Sequence, residues 1–234
     1  MSGVQEYRRP APGTNPPTLY ADYKSSVKRA PRHVPVRVEQ TLSEITGPNL
    51  GAEMLRPGDA DLTTFNGGAA LGERIIVSGR VLDEDGRSVA GALIEIWQAN
   101  ACGRYAHPAD QHDAPLDPHF SGAGRAVSTE AGAYRFVSIK PGAYPWANHH
   151  NAWRPNHIHL SLFGAGLATR LVTQMYFPGD PLLELDPIFQ SVPDPDARGR
   201  LVAKFDLAVT RPNYALGYRF DIVLRGRRAT PSIP

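Results

Sequence analysis

The chain has a single cysteine, Cys102, in 234 residues. That scarcity excludes an intramolecular disulfide framework and any zinc site built on cysteine, and it suits a reducing compartment. No run of about 18 apolar residues occurs, and the first ten residues carry Glu6, Arg8 and Arg9 without an apolar segment. Neither a membrane span nor a secretion signal is therefore expected. An excess of one charge is also missing, because 25 Lys and Arg against 23 Asp and Glu leave a formal +2. A dedicated nucleic-acid binder would normally show a basic face or stripe. Sustained helical periodicity is absent, while 22 Pro and 22 Gly favour turns and strands. These absences together point to a soluble, cytoplasmic, β-rich protein with no nucleic-acid or membrane partner.

Two regions are expected. Residues 1–70 are dense in proline and isolated charges and lack either period, yet Tyr7, Leu19, Tyr20, Tyr23, Val27, Val34, Val36 and Leu42 give them more apolar anchors than a free tail needs. They read as an N-terminal arm that wraps another surface. Residues 71–234 read as the folded domain. Ile75, Val77 and Val81 alternate with Arg74, Ser78 and Arg80, Asp83-Glu84-Asp85-Gly86 reads as a turn, and Ala92 to Gln98 reads as the second strand of a hairpin. Further strands are expected at Tyr134–Ile139, His157–Phe163, Leu171–Phe177, Val202–Val209 and Tyr218–Leu224. Six or seven short strands without long helices indicate an all-β fold, an antiparallel β-sandwich. One short helix is expected near Asp196–Leu201, capped by Asp194 with Pro195 at its first position. Ala99 to Thr129 reads as a long irregular loop, a kind of segment that is usually functional.

The candidate chemistry lies in the segment from Lys140 to Phe163. On a strand, His157, His159 and Ser161 share one face and Ile158, Leu160 and Leu162 the other, which puts the two imidazoles about 6.6 Å apart along the backbone. With the apolar face in the core, they project together as a chelating pair. Pro155 fits a strand start, where its missing N–H costs nothing. Tyr105, just after the Trp97 strand, and Tyr144, in a Pro-Gly-Ala-Tyr-Pro-Trp turn, are candidate further ligands. So are His107, His149 and His150, and spacing alone does not rank them.

The run from Trp97 to Arg125, Lys140-Pro-Gly-Ala-Tyr-Pro-Trp146, Trp153-Arg-Pro-Asn-His-Ile-His159, Gln174-Met-Tyr-Phe and the ending Tyr218 to Gly226 resemble the intradiol ring-cleavage dioxygenases. Asp22-Tyr-Lys24 in the arm does too, so the resemblance covers nearly the whole chain and leans toward the β-type chain of the family's two-chain members. It implies a non-haem Fe(III) held by Tyr105, Tyr144, His157 and His159, a small catechol substrate bearing a carboxylate, O2 as co-substrate, and a homologous α subunit in a hetero-oligomer. It further implies that Tyr144 leaves the metal and serves as a base. Arg154 and Gln174 stand beside the site as catalytic candidates, and Tyr23, Trp146 and Ile188 are substrate-pocket candidates. The donor set suits this metal: a bound cation deprotonates a coordinating acid, and hard phenolates match hard ferric iron, whereas zinc sites normally use Cys, His and carboxylates. The rival readings are an intradiol enzyme for catechol or hydroxyquinol, and a non-catalytic structural subunit.

Overall fold

The computed structural model describes residues 9–36, 50–150, 152–163 and 170–233; Tyr7 and Leu42 of the arm lie outside them. Two sheets pack face to face. One is antiparallel throughout, in the order β3 (Ala123–Val127), β2 (Leu93–Trp97), β7 (His157–Phe163), β8 (Leu171–Tyr176). The other is centred on β1 (Arg74–Leu82), which pairs antiparallel with β4 (Ala133–Ile139) along one edge. Along its other edge β1 meets β10 (Leu216–Arg219) and then β11 (Ile222–Val223), both parallel, and β9 (Lys204–Phe205) closes that side antiparallel to β10. The all-β sandwich stands, with one of its two sheets mixed.

Alternation builds the core. Ile75 and Val77 of β1, Ile94 and Ile96 of β2, Phe136 of β4, Ile158, Leu160 and Leu162 of β7 and Met175 of β8 meet between the sheets, each buried. Leu62 joins them fully buried, tied in by its N–H to the Val137 carbonyl at 3.0 Å. The sandwich thus packs residues from before position 71.

Four expectations need correction. Asp83 to Gly86 does turn, and Val89 N–H still reaches the Val81 carbonyl at 2.9 Å, but Ala92–Gln98 does not pair with β1. The chain turns at Gly91, whose N–H goes to Ser128 O at 2.9 Å, and its strand crosses to the opposite sheet. Alternation fixes the buried face of a strand without fixing its neighbour. The Ala99–Thr129 stretch contains β3, which seals the edge of β2. Val202–Val209 shrinks to the two residues of β9. Tyr218–Leu224 divides at Phe220-Asp221, where the Asp221 carboxylate accepts the Arg80 N–H at 3.0 Å in place of a ladder bond. The helix at Pro195–Gly199 forms as expected, with Asp194 accepting the Asp196 N–H at 3.0 Å. A similar helical turn at Pro187–Gln190 was not foreseen, and its N-cap is Asp186. We label these α1 (Pro187–Gln190) and α2 (Pro195–Gly199).

Within the described part of the arm, Lys24–Lys28 forms a 3-10 turn and the chain rests on its own sandwich. Asn148 donates to Asp22 O at 2.7 Å, Asp194 N–H to Gly13 O at 3.1 Å, and the Tyr23 ring lies 5.6 Å from Trp146. Leu19, Val27, Val34 and Val36 stay exposed.

Candidate metal centre

The outer face of the antiparallel sheet carries the site. Register places Trp97, His159 and Gln174 side by side across β2, β7 and β8, with His157 opposite Tyr176 one step along. His157 is buried against the rings of Tyr144, His159 and Tyr176, and the start of its strand is held by Asn156 N–H donating to the Asp180 carboxylate at 2.8 Å. The Pro155 carbonyl sits 2.7 Å from His157 Nδ1. A carbonyl only accepts, so Nδ1 bears the proton and Nε2 presents a lone pair to the site. Trp97 lies flat on His159, with ring centroids 4.9 Å apart and planes 5° apart, and so fixes the second imidazole.

The two tyrosines arrive on loops that glycine allows to touch. Gly103 has φ +76°, and a Cβ there would lie 2.3 Å from Ala143 O; a Cβ on Gly142 would lie 2.4 Å from Ala101 O. Asn100 ties these loops together. Its carboxamide oxygen accepts Cys102 and Arg104 N–H at 2.9 and 3.0 Å, and its carbonyl accepts Gly142 N–H at 2.9 Å. Asp110 accepts the Tyr105 N–H at 2.7 Å. Tyr144 belongs to β5 (Tyr144–Pro145), a two-residue strand whose partner β6 (Trp153–Arg154) puts Arg154 directly opposite it.

Four donor atoms close a ring. Tyr105 Oη is 3.2 Å from His159 Nε2, which is 3.2 Å from His157 Nε2; that atom is 3.3 Å from Tyr144 Oη, which returns to Tyr105 Oη at 3.5 Å. Bonds of about 2.0–2.1 Å to a central ion imply donor separations of roughly 3.0–3.4 Å, so the residues fit a single metal. Protonation fits as well. Burial, then the Arg154 charge, pushes His157 well below its ordinary pKa and His159 down to about 3. Both imidazoles are therefore neutral near pH 7, as metal coordination would require. Burial raises both tyrosines above their ordinary value, with Tyr144 adding to the rise at Tyr105 and Arg154 opposing it at Tyr144. Without a cation they are phenols. A metal ion would supply the charge that makes them phenolates.

Among the described residues no group of three or more His, Cys, Asp or Glu could hold a metal, so the mixed Tyr and His set stands apart from the usual ligand clusters. His107 lines a cavity of about 600 Å³ that reaches Trp97, Tyr105, Tyr144 and His159, but it does not join the ring. His149 and His150 are exposed away from it. Arg154 is buried, with Nε 3.1 Å from Asp186 Oδ1 and a terminal nitrogen 2.6 Å from Gln174 Oε1 and 3.3 Å from Tyr176 Oη. Burial works hardest to discharge it, but Asp186 together with Tyr176, Tyr144 and Tyr105 more than offsets this, and its pKa lies above the ordinary value. Its guanidinium carbon stands 5.4 Å from the Trp146 ring centroid. Trp146, Tyr23 and Ile188 do not line the cavity; they belong to a second apolar cluster with Tyr176 and Phe189, and Tyr176 packs against His157 with ring centroids 5.9 Å apart.

Sequence reasoning missed Trp97 as the stacking partner of His159, and it missed Tyr176 and Asp186. Tyr176 was within reach, because it lies two residues after Gln174 on the same strand face. Asp186-Pro187 carries the cap-and-proline signature of a helix start. That Asp186 would meet Arg154 had no signal in the chain.

Comparison with known proteins gives a consistent result. A family model described as "Dioxygenase" matches residues 45–226, and one described as "Protocatechuate 3,4-dioxygenase beta subunit N terminal" matches residues 7–41. The protocatechuate 3,4-dioxygenase beta chain of Burkholderia cepacia is 59% identical over 220 residues, 93% of each chain. The protocatechuate 3,4-dioxygenase alpha chain of Pseudomonas putida is 31% identical over 163 residues, 69% of this chain and 76% of its own. Among solved structures, hydroxyquinol 1,2-dioxygenase from Pseudomonas putida DLL-E4 superposes with a TM-score of 0.54 at 25% identity, covering 82% of this chain and 68% of that one.

Proposed function

Because this chain belongs to the intradiol ring-cleavage dioxygenase family, we propose that it is the β-type, metal-bearing chain of an enzyme that cleaves protocatechuate with O2 to 3-carboxy-cis,cis-muconate in aromatic catabolism. The observation that carries this reading is the closed ring of Tyr105, Tyr144, His157 and His159 donors, 3.2–3.5 Å apart. In it Tyr105, Tyr144, His157 and His159 would hold a non-haem Fe(III). When bound, the ferric ion would supply Lewis acidity toward a catechol substrate and its reaction with O2.

The chain's own residues do the rest. Tyr144 Oη takes up a proton from one substrate hydroxyl, which a phenolate beside the reacting ring is placed to do. His157 and His159, neutral and held by Pro155 and Trp97, would keep their donor atoms in place while Tyr144 Oη takes up that proton. Arg154 offers a fixed, water-excluded cation toward negative charge developing on the ring. Gln174, hydrogen-bonded to Arg154, orients it from the neighbouring strand. Tyr23, Trp146 and Ile188 lie outside the cavity, in the apolar cluster on the Arg154 side of the donors, and would serve the substrate as the flank of the site on that side.

A homologous α subunit completes the enzyme in a hetero-oligomer. Arg154 is already paired with Asp186, so it is not available to a substrate carboxylate, and a buried carboxylate needs a cation or several donors. Residues 1–70 act as the contact arm, and the exposed Leu19, Val27, Val34 and Val36 gain burial only against another surface. Residues 71–234, with Leu62 built into their core, form the catalytic sandwich. A cytoplasmic location agrees with the free, exposed Cys102, and among the described residues no helix is long and apolar enough to cross a membrane.

The test is co-expression with an α-type chain, followed by metal analysis and turnover. One iron per β chain, a red to burgundy colour, both atoms of labelled O2 in the ring-opened diacid and a preference for protocatechuate over catechol are expected. A colourless zinc protein, or ring opening outside the two hydroxyls, would refute the reading.

A further inference from the structure

Asp186 is fully buried and serves two partners at once. Its Oδ1 faces Arg154 Nε at 3.1 Å and its Oδ2 a terminal nitrogen of the same guanidinium at 3.4 Å. The same carboxylate caps α1, accepting Ile188 N–H and Phe189 N–H at 3.3 Å each. Tyr176 Oη stands 3.3 Å from Asp186 Oδ2 and 2.9 Å from Gln174 Oε1. The guanidinium is thus clasped on its edge by Asp186, Gln174 and Tyr176, and its carbon stands over the Trp146 ring, 5.4 Å from the centroid. A planar ion held along its edge by three side chains has little freedom to turn.

From this we infer that Asp186 is a positioning residue for ring opening. It fixes the Arg154 guanidinium beside Tyr144 and joins it rigidly to α1, which carries Ile188. The inference rests on the site reading given above. Its physical basis is that a fixed cation stabilises developing charge only while its position is held, and that displacement of about 1 Å can cost roughly 10²-fold in rate. A buried carboxylate serving only the helix would need no guanidinium, and a helix of this length could be capped by a neutral side chain. Asparagine caps as well as aspartate, so Asp186→Asn keeps α1 while removing the charge that holds Arg154.

The experiment uses the co-expressed holoenzyme with protocatechuate as the probe. Asp186→Asn should lower kcat about 10²-fold, with iron content unchanged. Anaerobic protocatechuate binding and KM should both stay within about 3-fold, because the defect lies in the reacting state. In an Arg154→Gln background, Asp186→Asn should change kcat by less than about 3-fold, since two residues acting through one group are not additive. Wild-type kcat in Asp186→Asn, or a second full loss in the double variant, would overturn the inference. Should Asp186→Asn fail to assemble, Tyr176→Phe decides: it keeps the ring and removes only the hydroxyl, and it should lower kcat about 10-fold at a modest cost in stability, so that the assembly and its iron are retained. Unaltered kcat in that variant would then overturn the inference. A wild-type assembly that binds iron but cleaves no protocatechuate would sink the site reading, a result distinct from an unimpaired Asp186→Asn beside an active wild type.

Discussion

Replacing Arg154 by methionine keeps an unbranched side chain and strips its charge, leaving the buried Asp186 carboxylate without the cation it pairs with. The side chains of Arg154 and Asp186 are 4% and 0% exposed, and Nε to Oδ1 is 3.1 Å. At an effective dielectric of about 20, that distance corresponds to roughly 5 kcal/mol of attraction. Breaking a buried pair from one side typically costs about 3–5 kcal/mol. Asp186 keeps the Ile188 and Phe189 N–H groups and the Tyr176 hydroxyl, each at 3.3 Å, so the low end, about 3 kcal/mol, is expected. For a chain of this size that is a fall in melting temperature of about 6–12 °C. Calorimetry at fixed protein concentration and with the same partner chain measures it, since both shift apparent stability. The double variant Arg154→Met/Asp186→Asn should recover to within about 1–2 kcal/mol of wild type, because the stranded charge has gone. A single variant that melts within about 1 kcal/mol of wild type, or a double variant no more stable than the single, would refute the reasoning.

His157→Ala should lose at least about 10-fold in bound iron while circular dichroism stays that of the folded sandwich; full iron retention would remove His157 from the ligand set. Gly103→Ala drives a Cβ to 2.3 Å from Ala143 O. Metal analysis should find iron reduced by at least about 10-fold as the Tyr105 and Tyr144 loops separate, and undiminished iron would show that the loops need not touch. Leu62→Ala should destabilise the chain by about 2–5 kcal/mol in denaturant unfolding, and a loss below about 1 kcal/mol would place Leu62 outside the core. Tyr144→Phe should retain iron with part of its colour lost and turnover slowed by about 10²-fold, whereas Tyr105→Phe should damage iron binding itself. Stopped-flow turnover and the visible spectrum distinguish the two, and equal behaviour would contradict their assigned roles.

The sequence by itself determined what depends on neighbours along the chain. Alternation in β7 put Ile158, Leu160 and Leu162 in the core and His157 and His159 on the other face, because successive strand side chains must point oppositely. Asp194-Pro195 marked a helix start for an equally local reason, since a carboxylate caps free N–H groups and proline lacks the one it would waste. The scarcity of cysteine ruled out disulfides without any fold. Tertiary structure alone decided which distant residues meet. The strand after the Asp83–Gly86 turn crosses to the other sheet because its apolar face is satisfied equally by either neighbour, and only packing of both layers selects one. Resemblance had singled out Tyr105 and Tyr144, but nothing local says that the loops holding them touch through Gly103 and Gly142. Nor does it say that Trp97 seats His159, or that Asp186 pairs with a guanidinium 32 residues earlier. Those contacts are set by register and loop closure across the whole sandwich, which no local stretch of sequence encodes.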